Sequence, residues 1–271
     1  MTVSLITQRV IYNTTDISVA VGDFRVGTYA LNYETGKHIY IAANCPFNNL
    51  WMQLTTPAAG GSGAPMIEVW FNGSWYDVVD IIDQTEGMAK SGRISWSLHI
   101  DGGWNSEQKS EDVGLSSFQI YNRYWMRISW PNDFTAGVAY IGQKFSDDTL
   151  MASMYPDLMQ STILNGFKTG KTTWDEQHFM AAEAIVKDLR KRNIAIDRGQ
   201  IIDWSVFEDA SAHKVAEMIY QAFGAPYRDH VNEAKKRFQE EMASRVFAID
   251  VNQNGHVEVD EITRKSGFMT R

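Results

Sequence analysis

Apolar and polar positions follow two different rhythms along this chain. Up to about Lys144 the sequence consists of short apolar and aromatic runs broken by turn residues. From about Asp147 the apolar positions recur with helical spacing. The clearest strand signal is Ile67-Glu-Val-Trp-Phe-Asn-Gly-Ser-Trp-Tyr-Asp-Val-Val79, in which Asn72-Gly73 separates two runs of aromatic and β-branched residues. Asn-Gly accepts the positive φ angles of a type I′ turn, so this segment predicts a hairpin. Phe24–Leu31 and His38–Ala42 flank a turn at Glu34-Thr-Gly36, and further strands are expected over Ile94–Leu98, Tyr121–Trp130 and Ala136–Phe145. Pro57–Pro65, with its Gly60-Gly-Ser-Gly63 run, predicts a flexible loop, and a second loop is expected over Asp101–Gly114. Strands at this spacing predict an antiparallel sandwich or jelly roll.

The second part predicts helices. A short one starts at Tyr155-Pro-Asp-Leu and ends near Gly166. Thr173-Trp-Asp-Glu176 has capping-box spacing, with the Thr hydroxyl facing the Glu176 amide. Phe179, Ala182, Ile185, Val186 and Leu189 then mark one helix face as far as Arg192-Asn193. Another helix is expected over Asp203–Phe223, with Gly224 just past its end and Pro226 in the first turn of a last helix reaching about Ala248. Short connections predict a small antiparallel bundle. The expected fold is therefore α+β: an N-terminal antiparallel β-sandwich or jelly-roll-like domain over residues 1–146, then a helical domain over 147–271 that closes in an extended tail from about 256 to 271.

Composition narrows the function classes. Seven of the nine Trp precede Lys144, in keeping with a β-rich first part. A net charge of -8 argues against a general nucleic-acid binder. No apolar run is long enough to span a bilayer, and the first residues lack the basic and apolar regions of a secretory leader, so folding in the cytoplasm is expected. Cys45 is the only cysteine, which rules out an intrachain disulfide and reads as a small core residue.

Candidate chemistry is sparse. Asp250-Val-Asn252-Gln-Asn254-Gly255-His256-Val-Glu258-Val-Asp260-Glu261 matches the calcium-loop pattern at its first, third, fifth, sixth and twelfth positions. Alternate oxygen-bearing side chains converge on a hard cation, the Gly permits the sharp turn, and the last Glu offers two oxygens. Asp250, Asn252, Asn254, His256 and Glu261 are thus candidate Ca2+ ligands. The alternative is a polar turn whose side chains cap their own backbone, with no cofactor. The exiting helix of a calcium hand is missing from the sequence. No G-x-S-x-G, H-E-x-x-H, P-loop or G-x-G-x-x-G motif occurs, and no two of the six His stand at ligand spacing on one helix turn, so an enzyme is not expected. His213 reads as a packed or interface residue, and the adjacent acids Asp147-Asp148 and Glu240-Glu241 as solvated faces. The basic run Lys187–Arg192 opposes a helix dipole more readily than it meets DNA. Trp51, Trp70, Trp75, Trp104 and Trp125 would make a glycan-stacking platform if exposed, and core or interface residues otherwise.

Several segments of the second half resemble a group of tailed-bacteriophage virion proteins, the head-to-tail connectors or adaptors. They are Tyr140-Ile-Gly-Gln-Lys-Phe-Ser-Asp-Asp148, Tyr155-Pro-Asp-Leu158, Trp174-Asp-Glu-Gln-His178, Ala184–Leu189, Gln200-Ile-Ile-Asp-Trp204, His213-Lys-Val-Ala-Glu217, and Phe247–Gly255 with the tail after it. The resemblance covers roughly Gly137–Arg271, and none of its motifs is catalytic. It implies a structural protein of the virion neck, made in the host cytoplasm. Such a protein binds the portal, forms a ring with copies of itself (commonly twelve in the family), and meets tail, tail-tube or fibre proteins. Packaged DNA passes through the channel without sequence-specific binding, and no membrane is involved. The tail would dock on the portal through Arg264, Lys265, Phe268 and Arg271, with the calcium-like loop as its elbow. The rival expectation is a phage glycan-binding module carried on a helical stalk.

Overall fold

The computed structural model describes residues 9–43, 46–97, 113–115, 123–192, 201 and 204–244. They form two compact units, one ending at Gln143 and the other beginning at Lys144. The chain is α+β, with two antiparallel sheets in the first unit.

The strands are β1 (Arg9–Tyr12), β2 (Thr15–Asp16), β3 (Tyr29–Tyr33), β4 (Ile39–Ala43), β5 (Asn49–Thr56), β6 (Met66–Phe71), β7 (Ser74–Asp77), β8 (Val79–Asp83), β9 (Gly92–Ser97), β10 (Tyr124–Ser129) and β11 (Phe134–Gly142), with a one-turn helix α1 (Ser18–Val21) after β2. One sheet has the order β2-β1-β4-β10-β6-β7, the other β3-β11-β5-β9-β8. Period-two alternation explains the first sheet. Ile39, Ile41, Ile67, Val69, Met126 and Ile128 join a buried cluster that also takes Leu50, Met52, Ile94, Val138 and Ile141 from the second sheet. Each such side chain contributes about 1.5–3 kcal/mol by leaving water. The intervening residues Ile11, Ala42, Trp70 and Trp125 gather on the opposite face, where Val113 and Leu115 pack with them.

The Asn72-Gly73 hairpin forms as expected, with φ of 48° and 78° and Phe71 opposite Ser74. The turn at Glu34–Gly36 also forms, but it joins strands of different sheets, because β3 pairs with β11 and β4 with β1 and β10. Strand β3 begins at Tyr29, so Phe24–Thr28 lies outside it. Strand β5 escaped the sequence pattern because it lies between β11 and β9 and is buried on both faces from Asn49 to Met52, which erases the alternation. The Pro57–Pro65 loop is pinned rather than free. The Ala58 amide donates to the Met88 carbonyl at 2.8 Å, and both the amide and hydroxyl of Ser62 donate to the Gly87 carbonyl at 2.8 Å. Gly63 and Gly87 have φ of +80° and +68°, and a Cβ on Gly87 would stand 2.8 Å from the Gly63 carbonyl oxygen, so the contact admits only glycine there.

Tyr33 holds two crossovers together. It ends β3, where the chain leaves one sheet for the other, and faces the β10–β11 connection, where the chain returns. Its buried hydroxyl accepts the Trp130 amide at 2.9 Å and donates to the Lys37 carbonyl at 2.7 Å. Its ring stacks on Phe134 at 4.9 Å and meets Trp130 edge-on at 5.3 Å. Asp133 adds a second tie by accepting the Thr35 amide at 2.6 Å and hydroxyl at 2.7 Å.

The second unit contains α2 (Asp148–Met154), α3 (Ser161–Phe167), α4 (Asp175–Lys191), α5 (Glu208–Phe223) and α6 (Arg228–Ser244), with 3-10 turns at Pro156–Met159, Ser205–Phe207 and Ala225–Tyr227. Helix α5 is the central element and packs on α2, α3, α4 and α6. Its small residues Ala210, Ser211, Ala212 and Ala216 permit close approach on several sides. Gly224 has a φ of +79° just past α5, and Pro226 opens the turn into α6, as expected. The capping box at Thr173–Glu176 does not form. Trp174 is the N-cap of α4 with no side-chain cap, and its amide is taken by Asp148 of α2. Asp148 thus fixes the start of α4 through a different amide from the one the capping box would use.

Tyr33→Phe keeps the ring packing but strands a buried amide and carbonyl. We expect a loss of about 1–3 kcal/mol in urea unfolding of the β unit, with the m-value unchanged.

Candidate functional site

The described residues hold one concentrated polar site, inside the helical unit. It is built on the irregular strap Lys144-Phe-Ser-Asp147 and the starts of α2 and α4. Asp147 caps α2 by accepting the Leu150 amide at 2.9 Å. Asp148, the next residue, turns inward and accepts the Trp174 amide with both oxygens, at 3.1 and 3.2 Å. The Trp174 indole N–H donates to the Leu158 carbonyl at 3.0 Å, fixing the 3-10 turn beneath it. One turn further along α4, His178 is fully shut from solvent. Its Nε2 lies 3.2 Å from Asp148 Oδ1 and its Nδ1 2.7 Å from Ser146 Oγ, which in turn is 2.7 Å from Ser211 Oγ on α5. Lys144, also buried, sets its ammonium 2.7 Å from Asp175 Oδ1 and 5.6 Å from the Phe179 ring centre.

Chemistry assigns the protons. An ionised carboxylate only accepts, so His178 carries its proton on Nε2 and donates to Asp148. Nδ1 is then the acceptor for the Ser146 hydroxyl, whose oxygen accepts from Ser211. Burial is the main reason the His178 pKa lies below its ordinary 6.5; the Asp148 hydrogen bond opposes the shift and Lys144 reinforces it. Burial pushes the Asp175 carboxyl up, but the Lys144 charge and hydrogen bonds from Lys144 and Thr173 outweigh it, and the net pKa lies below the ordinary 3.8.

Ser146, His178 and Asp148 are the residue types of a nucleophilic triad, joined in the right order. Their exposure runs the wrong way for acyl transfer. The Asp148 side chain is 25% exposed, while His178 and Ser211 are at 0% and Ser146 at 5%. Such catalysis needs an open serine and a shielded acid. The arrangement serves to tie strap, α2, α4 and α5 together and to keep one neutral imidazole inside.

A second pair of contacts lies across the same helices. The Tyr155 hydroxyl is 2.7 Å from His213 Nδ1, and the Tyr220 hydroxyl donates to Asp157 Oδ2 at 2.9 Å. His213 is therefore a packed residue, as expected. Burial, then the bond to Asp157, pushes the Tyr220 hydroxyl far above its ordinary pKa.

The other sequence candidates fall as follows. Asp147 and Asp148 are a helix cap and an inward acceptor, not a solvated face: Asp147 accepts the Leu150 amide of α2 and Asp148 the Trp174 amide at the start of α4. Arg190 and Lys191 lie in the last turn of α4, and Arg192 pairs with Asp188 and donates to the Met242 carbonyl at 3.1 Å. Trp51, Trp70 and Trp125 are buried and cannot stack on a sugar. Trp75 is half-buried, with the Arg127 guanidinium 4.6 Å from its ring centre and Trp70 edge-on at 5.1 Å. Arg127 is held there by a two-pronged pair with Glu68 at 2.5 and 2.6 Å. Cys45, Trp104, the loop ligands Asp250, Asn252, Asn254, His256 and Glu261, and the tail residues Arg264, Lys265, Phe268 and Arg271 lie outside the described residues. Among the described residues, no group of three or more His, Cys, Asp or Glu is placed to hold a metal, and no helix is long and apolar enough to cross a membrane.

No protein-family model matches the sequence, and no curated protein matches it significantly.

Two outcomes follow from the site. Asp148→Ala removes the acceptor of two N–H groups and should cost about 1.5–3 kcal/mol at neutral pH, measured by urea unfolding. The pH dependence has a defined sign. His178 binds its proton more readily unfolded than folded, so stability is complete above about 6.5 and falls as pH drops below it, down to the folded pKa. Asp175 is depressed in the folded state, so its contribution is present above about 3.8 and is lost as pH falls through the folded value. Thermal melts against pH should show the upper loss in the wild type and not in His178→Gln.

Proposed function

We propose that this chain is a structural, non-enzymatic virion protein that acts as a head-to-tail adaptor: a portal-bound ring component that extends the DNA channel and meets the tail. One observation carries the reading. Four of the segments with adaptor likeness, Tyr140–Asp148, Tyr155–Leu158, Trp174–His178 and His213–Glu217, are scattered over the sequence. Between them they supply both members of several polar contacts inside the helical unit: Ser146 and Asp148 with His178, Lys144 with Asp175, and Tyr155 with His213. A likeness concentrated on the residues that interlock a fold is what shared architecture produces, whereas chance matches would scatter over the surface.

On this reading the helices form a small antiparallel bundle that makes the ring wall. The β unit is a jelly roll, a reading supported by the neighbour orders β3-β11-β5-β9-β8 and β2-β1-β4-β10-β6-β7, between which the chain crosses at every connection except β1–β2, β6–β7 and β8–β9. Burial of Trp51, Trp70 and Trp125 disfavours the glycan-platform alternative. The tail residues Arg264, Lys265, Phe268 and Arg271 would dock on the portal by main-chain pairing with a few anchors. The loop from Asp250 to Glu261 would direct the tail as an elbow, with or without a divalent cation.

The test is co-purification of the full-length protein with the portal encoded alongside it, with a chain truncated after Asn254 in parallel and electron microscopy of any complex. We expect ring-on-ring particles with the full-length chain only. Folded protein that leaves an assembled portal bare would overturn the reading. The Asp250→Ala, Glu261→Ala double variant should reduce docking if the elbow matters, and calorimetry with Ca2+ reports any cation.

A further inference from the structure

His178 is a titratable group bonded to the strap and to α2 from α4, with α5 one hydroxyl further on. The charged groups facing it are Asp148 on α2, Lys144 on the strap and Asp175 on its own helix; α5 offers only the Ser211 hydroxyl. With the imidazole neutral, every strap contact is answered: Ser146 donates to Nδ1, and Asp148 accepts from Nε2 and from the Trp174 amide. Protonation makes both ring nitrogens donors. The two hydroxyls can reverse, since either Ser146 or Ser211 can donate in their shared bond. The charge has no such remedy. The two carboxylates attract it, but Lys144 repels it and no solvent reaches the ring. The sole member of the relay with substantial exposure is Asp148, at the outer end. Moving Asp148 and the strap outward is therefore the shortest route by which water reaches a charged His178.

We propose that the contact of Ser146 and Asp148 with His178 is an acid-released latch, with His178 as its bolt. At neutral pH the latch holds the start of α2 against α4 and α5. Acidification from neutral to endosomal pH frees Ser146, Asp148 and the first turn of α2, while the apolar anchors hold: Phe145 stays with Ile185 and Phe207, and Met151 stays in the cluster of Val215, Ile219 and Ala234 that keeps α5 on α6. The latch is a property of the helical unit and does not depend on the adaptor role.

Hydrogen exchange by mass spectrometry on the full-length protein tests it, between about pH 7.5 and about pH 5 and corrected for intrinsic rates. Peptides over 144–150 should lose protection by about tenfold for each pH unit below the onset, while peptides over 212–240 keep theirs. The His178→Gln protein should show no such acid step, and His213→Gln, a control at the neighbouring Tyr155 contact, should retain it. Imidazole resonances followed by NMR must titrate with the same midpoint as the exchange. Should His178→Gln fail to fold, Lys144→Met decides: removing the facing ammonium raises the His178 pKa, so titration and opening must move together to higher pH. Strap protection that is unchanged at acid pH, an acid step surviving in His178→Gln, loss of the step in His213→Gln, or an unmoved midpoint in Lys144→Met would each overturn the proposal.

Discussion

A polar side chain removed from water must find every partner inside the protein, and each unit of this chain is organised around one that does. In the β unit it is Tyr33, whose hydroxyl answers an amide and a carbonyl from two separate crossovers. In the helical unit it is His178, whose two nitrogens answer the strap and α2. Apolar burial supplies most of the stabilisation in both places, but it is indifferent to which segments meet. The directional contacts select the pairing, since any other arrangement would leave buried donors and acceptors unanswered.

Two corrections have the same physical source. Thr173–Glu176 has the spacing of a capping box, yet the chain enters α4 with Trp174 as its N-cap and the Trp174 amide donating to Asp148, 26 residues upstream. A charged acceptor delivered by a packed neighbour sets the start of the helix in place of the local motif. Asp147-Asp148 likewise read as solvated charge, but Asp147 accepts the Leu150 amide of its own helix and Asp148 the Trp174 amide. The Trp residues of the β unit show the converse case. They read as core or interface residues, with a sugar platform as the alternative, and both faces of the first sheet bury them: Trp70 and Trp125 on one, Trp130 on the other.

The functional reading and the latch stand on different grounds. The adaptor proposal draws on the likeness of segments that converge on the interlock of the helical unit. The latch needs only the burial of one imidazole and the exposure of the carboxylate that closes it. If both hold, the element that opens in acid lies where the chain passes from β11 into the helices, since Lys144 follows Gln143 directly.

The sequence alone determined the two textures of the chain, the Asn72-Gly73 hairpin, the apolar faces of α4 and α5, and the break at Gly224-Ala-Pro226. All of these depend on backbone preference and on periodicity within one element. Tertiary structure decided the rest: that β3 and β4 part to different sheets, that β5 is buried on both faces, that Asp148 meets the start of α4, and that Ser146, His178 and Ser211 share one relay. The polar contacts among those outcomes join residues from 26 to 65 positions apart. No local pattern records such pairings, because the donor and acceptor acquire their partners only when burial removes water as the alternative.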